Sequence, residues 1–191
     1  MLSVSLKAPE SSPQTFQLVP FEPLPAGLNL TLQGSCQRSE SGDALLLHYQ
    51  LSGDLDAVLI PEPEPLPSRR DGLWETTCFE CFFAKPDDPT YWELNLSPSG
   101  DWNVYKLERY REGLRADPAY PGLRPQIHQH RQGLEISVGI PLPAPLREGS
   151  QVELALCAVV ALRHVNPSYW ALRHTAGEAD FHRRDSFALR V

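Results

Sequence analysis

The chain lacks most of the features that would give a function away. It has a single methionine, Met1, and four cysteines in 191 residues. No apolar run approaches the roughly 18–20 residues of a membrane-spanning helix. The opening MLSVSLKAPESSPQTF has no basic stretch followed by a long apolar core, so no secretory signal is expected. Positive charge is short: 17 Lys and Arg stand against 24 Asp and Glu, a net charge of −7. That balance argues against nucleic acid and anionic membranes as partners, because both need a basic surface. There is no glycine-rich phosphate loop, no Gly-x-Ser-x-Gly and no His-Glu-x-x-His. No cofactor is expected. The expected compartment is the cytoplasm, where Cys36, Cys78, Cys81 and Cys157 stay reduced.

Proline is present in quantity, with 19 residues clustered as PEPEPLP (61–67) and PLPAP (141–145). Proline is excluded from helix interiors and central strands, so it punctuates many short elements. Leu28, Leu30 and Leu32 alternate with polar residues, the period of a half-buried strand. Further strands are expected at 44–51, 58–60, 73–83, 91–96, 102–107, 126–130, 134–140, 152–162, 169–174 and 187–191, with Gly, Asn, Asp and Pro between them. Helix evidence is confined to Glu108–Arg115, which stops at Gly113. The reading is one domain over residues 1–191. Its class is all-β, an antiparallel β-sandwich (jelly-roll or immunoglobulin-like) of about ten or eleven strands with little helix.

The stretch LWETTCFECFF (73–83) contains Cys78-Phe79-Glu80-Cys81, a spacing shared by zinc sites and redox pairs. On a strand, positions three apart point to opposite faces and lie about 10 Å apart. A disulfide needs Cα atoms within about 7 Å, so two unconnected thiols are expected. The turns KPDDPT (85–90) and SPSG (97–100) suggest a register for three consecutive strands. Phe79, Cys81 and Phe83 then share a core face with Trp92, Leu94, Leu96, Trp102 and Val104. The opposite face carries Trp74, Thr76, Cys78, Glu80, Phe82, Glu93, Asn95, Asn103 and Tyr105. If open, that aromatic and polar face suits a small polar ligand.

Trp74-Glu75-Thr76-Thr77-Cys78-Phe79-Glu80, Glu93-Leu94-Asn95-Leu96-Ser97-Pro98-Ser99-Gly100-Asp101-Trp102, Tyr105, Tyr110-Arg111 and the closing Ala179-Asp180-Phe181-His182 with Asp185-Ser186-Phe187 resemble the DOMON-like proteins. These are relatives of the family 9 carbohydrate-binding modules. The resemblance covers the chain from about residue 70 onward; the first 60 residues match only in strand pattern. It implies a β-sandwich that binds a ligand on one face or at one end. Sugar-binding members hold a sugar end between two Trp rings with polar side chains on its hydroxyls. Trp74 and Glu80 keep a Trp–Glu spacing of those members. The resemblance then suggests Trp170 as the second ring and Asn166 as a hydroxyl partner beside it. Other relatives bind haem, usually through Met and His, a signature that a chain with Met1 alone does not carry.

The expected function is non-catalytic binding of a small polar ligand, a sugar or sugar derivative, by Trp74, Glu80, Glu93, Asn95, Asn103, Tyr105, Asn166 and Trp170. Aromatic faces stack on pyranose C–H groups, while carboxylates and amides take hydroxyls. The plain alternative is a solvated face with Glu80 and Glu93 paired to Arg109, Arg111 or Arg163. A haem or redox module and a protein-interaction face around Phe82 and Trp74 are further readings. Glycoside hydrolysis by the Glu80–Glu93 pair would need a defined separation and one raised pKa. His174, Asp180 and His182, or His128 with His130, could rim a metal or ligand.

Overall fold

A computed structural model of the protein describes residues 12–147 and 150–191. Twelve strands follow in chain order: β1 (Gln14–Pro20), β2 (Leu30–Arg38), β3 (Ala44–Gly53), β4 (Cys78–Ala84), β5 (Tyr91–Leu96), β6 (Trp102–Leu107), β7 (Arg115–Ala116), β8 (Gln126–His130), β9 (Gly133–Pro141), β10 (Glu153–Val160), β11 (Ser168–Ala171) and β12 (Leu189–Arg190). The helical content among the described residues is four 3-10 turns. None is long and apolar enough to cross a membrane.

One sheet runs β1-β2-β3-β9-β8 and the other β7-β6-β5-β4-β10-β11, with β12 also on β10. The strand pairs are antiparallel. β1 joins the two sheets: Gln14–Leu18 pair with β2, while Val19 and Pro20 pair with β11. Pro20, which has no N–H to give a ladder, stands at the end of its strand.

The alternation read from the sequence builds the core. On β3, Leu45, Leu47, Tyr49 and Leu51 point inward; on β9, Leu134, Ile136, Val138 and Ile140 do. They meet Phe79, Cys81 and Phe83 of β4, Trp92, Leu94 and Leu96 of β5, and Leu154, Leu156 and Ala158 of β10. Phe83 and Trp92 stack at 5.9 Å. Gly34 sits between register partners Phe16 and Tyr49, whose rings meet edge-on at 5.4 Å. A Cβ on Gly34 would lie 2.5 Å from the Phe16 ring, so the aromatic pair requires glycine there.

The register expected for β4, β5 and β6 is the observed one: Cys81 pairs with Leu94 and Leu94 with Val104. The four cysteines are buried and unpaired. Cys81 faces the sandwich core, while Cys78 and Cys157 lie on the other face of the sheet.

Several expectations are corrected. β1 was not anticipated. Residues 58–60 form a single bridge, Val58 to Leu162, instead of a strand. The strand expected at 73–83 begins at Cys78. Leu73–Glu75 form a 3-10 turn after Gly72, and Thr77 holds the junction. The Thr77 hydroxyl donates to the Leu59 carbonyl (2.7 Å) and accepts from the Ala161 N–H (3.1 Å). The turn of helix expected at 108–115 is a tight reversal, closed by Glu108 N–H to Glu112 O with Arg111 at φ 54°.

Candidate functional site

The outer face of the second sheet is not left open. Residues 175–187 cross it as a strap. Phe82 meets the rings of His182 at 5.0 Å and Phe187 at 6.2 Å, and Tyr91 meets Phe187 at 6.0 Å. This explains why every residue of CFECFFA is buried: β4 is covered on both faces. Asp180 pins the strap to the β6–β7 reversal. Its carboxylate accepts from the Tyr110 hydroxyl (2.5 Å), Arg111 Nη2 (2.9 Å) and the His182 N–H (3.1 Å).

Between the strap and the loops on the opposite side lies a cleft of about 350 Å³. Glu80, Phe82, Glu93 and Val159 contribute from the strands. Trp74, Arg111 and Leu114 stand on one side; Tyr169, Ala179, Phe181 and His182 come from β11 and the strap. The Trp74 ring is held edge-on by Tyr105 at 5.9 Å, and Tyr169 by Phe181 at 6.1 Å.

Glu80 is 3% exposed and Glu93 is 5% exposed, yet neither has a cation at its side. The arginines that might have neutralised them are engaged elsewhere: Arg109 with Glu112, Arg111 with Asp180, and Arg163 with the Asp56 carbonyl. Asn95 Nδ2 donates to Glu93 Oε1 at 2.9 Å. Glu80 Oε1, Glu93 Oε2 and Asn95 Oδ1 are buried without a protein partner. Burial pushes the Glu80 carboxyl well above the usual range, and the neighbouring Glu93 charge adds to it. Burial pushes Glu93 up to about 7, against the Asn95 hydrogen bond and the Arg111 charge. His182 moves the other way, to about 4, because burial and Arg111 disfavour its cation. It is a neutral imidazole at pH 7, with Nδ1 2.9 Å from the Tyr91 hydroxyl. That hydroxyl also accepts from the Arg111 N–H at 3.1 Å.

The residues singled out in the sequence separate in space. Trp74, Glu80 and Glu93 line one cleft, and Asn95 lies beside the two carboxyls as register partner of Glu80. Trp74 reaches it from the 3-10 turn, not from β4 itself. Asn103 and Tyr105 turn their polar ends away. Both donate to Asp71 Oδ1, at 2.9 and 2.7 Å, and Asn103 also to the Arg70 carbonyl. Trp170 is a correction: it is 2% exposed in the sandwich core, with an indole N–H that has no partner. It pairs with Ala158, a core-facing residue of β10, so alternation turns Tyr169 outward instead. Asn166 is exposed and lines an adjoining depression with Glu22, Glu178 and Tyr169.

The motif NLSPSGDW has a structural job. Asp101 Oδ1 accepts the Ser68 N–H at 2.8 Å, and Oδ2 meets Arg70 Nε at 3.0 Å. Gly100 turns the chain at φ 90°, where an added Cβ would lie 2.8 Å from Pro67. His174 bonds to the Val19 carbonyl, apart from Asp180 and His182. Among the described residues no three His, Cys, Asp or Glu side chains converge as for a metal, which covers His128 and His130 too. A depression of the same volume on the outer face of the first sheet includes His48 and Ser137, which bond to each other at 2.9 Å.

Three solved structures are similar in fold. A protein of Bacteroides uniformis ATCC 8492, provisionally described as carbohydrate-binding, superposes with a TM-score of 0.66 at 13% identity, over 89% of this chain and 83% of its own. A family 9 carbohydrate-binding module from Caldicellulosiruptor kristjanssonii, in complex with glucose, gives 0.50 at 12% identity, over 86% and 77%. A structure of such a module from the same organism with cellotriose gives 0.48 at 12% identity, over 80% and 70%. No protein-family model matches the chain, and no curated protein matches it significantly in sequence. At these identities the likeness is one of architecture: the chain is an all-β antiparallel sandwich of the kind on which a family 9 carbohydrate-binding module is built.

Proposed function

We propose that the protein is a non-catalytic binding domain that holds a sugar or sugar derivative in the cleft between Trp74 and the strap. The observation that carries this reading is the pair of buried carboxyl groups, Glu80 and Glu93, with oxygens free of protein partners in an aromatic-walled cleft. Unpartnered buried acceptors are unfavourable by about 1–3 kcal/mol each, so they are kept where a ligand supplies donors. Sugar hydroxyls are such donors. Trp74, Tyr169 and Phe181 offer the apolar ring faces. The sugar-binding neighbours of the same architecture support the assignment.

The family 9 module of the same architecture is a binding module held in complex with glucose, which favours binding over turnover. The haem reading has no support of this kind, since His182 is tied to Tyr91 and His174 to a backbone carbonyl.

Calorimetry against a panel of mono- and disaccharides and cell-wall sugars tests the proposal. Binding that weakens about ten-fold or more in Trp74→Ala is the expected result, in the range of an aromatic ligand anchor. No heat with any sugar, or a sugar affinity that Trp74→Ala leaves untouched, would overturn it.

A further inference from the structure

We infer that the cleft selects a protonated amine carried on a hydroxylated ring, with an amino sugar as the simplest ligand of that class; this deepens the sugar reading and rests on it. The argument begins from a deficit of donors. Glu80 Oε1, Glu93 Oε2 and Asn95 Oδ1 are all acceptors, all buried and all without a partner. They belong to neighbouring positions: Glu80 is the register partner of Asn95, and Glu93 lies two residues along β5 on the same face. Among the described residues, neither carboxyl is paired with a cation.

The titratable and charged groups around the pair do not fill that role. From the sheet beneath come the thiols of Cys78 and Cys157, which burial keeps protonated. From β5 and β6 come Tyr91 and Tyr105, whose hydroxyls are engaged with His182 and Asp71. From the strap come neutral His182 and Asp180, and Asp180 takes the Arg111 guanidinium.

A neutral sugar brings hydroxyl donors but no charge that would favour ionisation of the neighbouring carboxyls. An ammonium group brings N–H donors to a cleft where Glu80 and Glu93 each hold an oxygen without a partner, and a positive charge that favours ionisation of the carboxyls. The aromatic walls of Trp74, Phe82, Tyr169 and Phe181 add attraction for a cation that they withhold from an anion. Without ligand, the raised Glu80 and Glu93 pKa values keep a proton on the pair at neutral pH. Binding of the amine therefore releases a proton, and acid weakens it.

The test is calorimetry of the intact chain with glucosamine, galactosamine and mannosamine, each against its neutral parent and its N-acetyl derivative, plus cyclohexylamine. Expected near pH 7 is an affinity for at least one amino sugar about ten-fold or more above its parent. The heat should vary with the ionisation enthalpy of the buffer, reporting proton release, and affinity should fall towards about pH 5. Glu80→Gln and Glu93→Gln should bring amino and neutral sugars to within about two-fold of each other. The wild-type pH series needs no variant, so a misfolded variant does not rescue the inference. Neutral sugars that bind as well as their amino counterparts overturn the amine inference and leave sugar binding standing. Cyclohexylamine binding as tightly as any amino sugar, with no neutral sugar bound, overturns the hydroxylated ring and the sugar reading together. Absence of heat with every probe overturns both.

Discussion

Glu80 and Glu93 sit diagonally across the β4–β5 ladder, on the same face and two residues out of register: Glu80 opposes Asn95, and Glu93 opposes Phe82. Such diagonal neighbours are close enough for long side chains to interact. The arrangement sets a stability profile. The Glu93 carboxyl titrates at about 7 in the folded chain and near its ordinary 4.5 when unfolded. The stability it lends is complete below about pH 4.5 and is lost as pH rises towards 7, because the unfolded chain gives up the proton first. Glu93→Gln removes that loss. The variant should melt higher than wild type at about pH 8, by roughly 2–4 °C for each kcal/mol recovered, and match it near pH 4. A variant that melts lower than wild type at about pH 8 while matching it near pH 4 would show that the Glu93 charge is stabilising after all.

Tyr169 and Trp170 are adjacent in sequence and opposite in role. Tyr169→Ala removes a ring from the cleft wall and should weaken ligand binding with a small effect on the melt. Trp170→Ala empties a core position and should cost about 3–5 kcal/mol of stability. Affinities measured on the folded fraction of each variant separate the two. Loss of affinity in Trp170→Ala alone would contradict the outward assignment of Tyr169.

Asp180 gathers three donors, two from the β6–β7 reversal and one from the strap itself. In Asp180→Asn, the ion pair with Arg111 is gone and the strap loses its main tie. Amide exchange over residues 176–187 should quicken by about ten-fold or more, since a charged hydrogen-bonded anchor is worth about 1.5–3 kcal/mol. The freed Arg111 guanidinium is then available to Glu93, so any preference for an amine should fall as well. Unchanged protection across the strap would refute its dependence on Asp180.

The sandwich was legible because period-two alternation is strong in ALLLHYQL, LEISVGI and YWELNL, and the two short turns around β5 set its register. The Glu80–Glu93 grouping followed from that register, whereas Trp74 reaches the cleft from a 3-10 turn and not by strand alternation. What escaped was set by non-local pairing. The resemblance alone offers Trp170 for the ligand face; the parity of β11 is set by its partner β10, which a sequence does not name. The strap escaped for a related reason: residues 175–187 have no periodicity, and their cover over Phe82 and Tyr91 is made by single rings and one carboxylate. The apolar run CFFA (81–84) of β4 was the available signal, since a strand exposed on one face would alternate.

The four thiols of the chain have a consequence for handling it. Cys36, held up to about 11 by burial, and Cys78, Cys81 and Cys157, raised further by the same cause, carry almost no thiolate at neutral pH. The Cys-x-x-Cys stretch is thus a silent clock. An alkylating reagent can count each molecule only when the sandwich opens, so labelling rates measured along a denaturant series would time that opening without any probe being introduced.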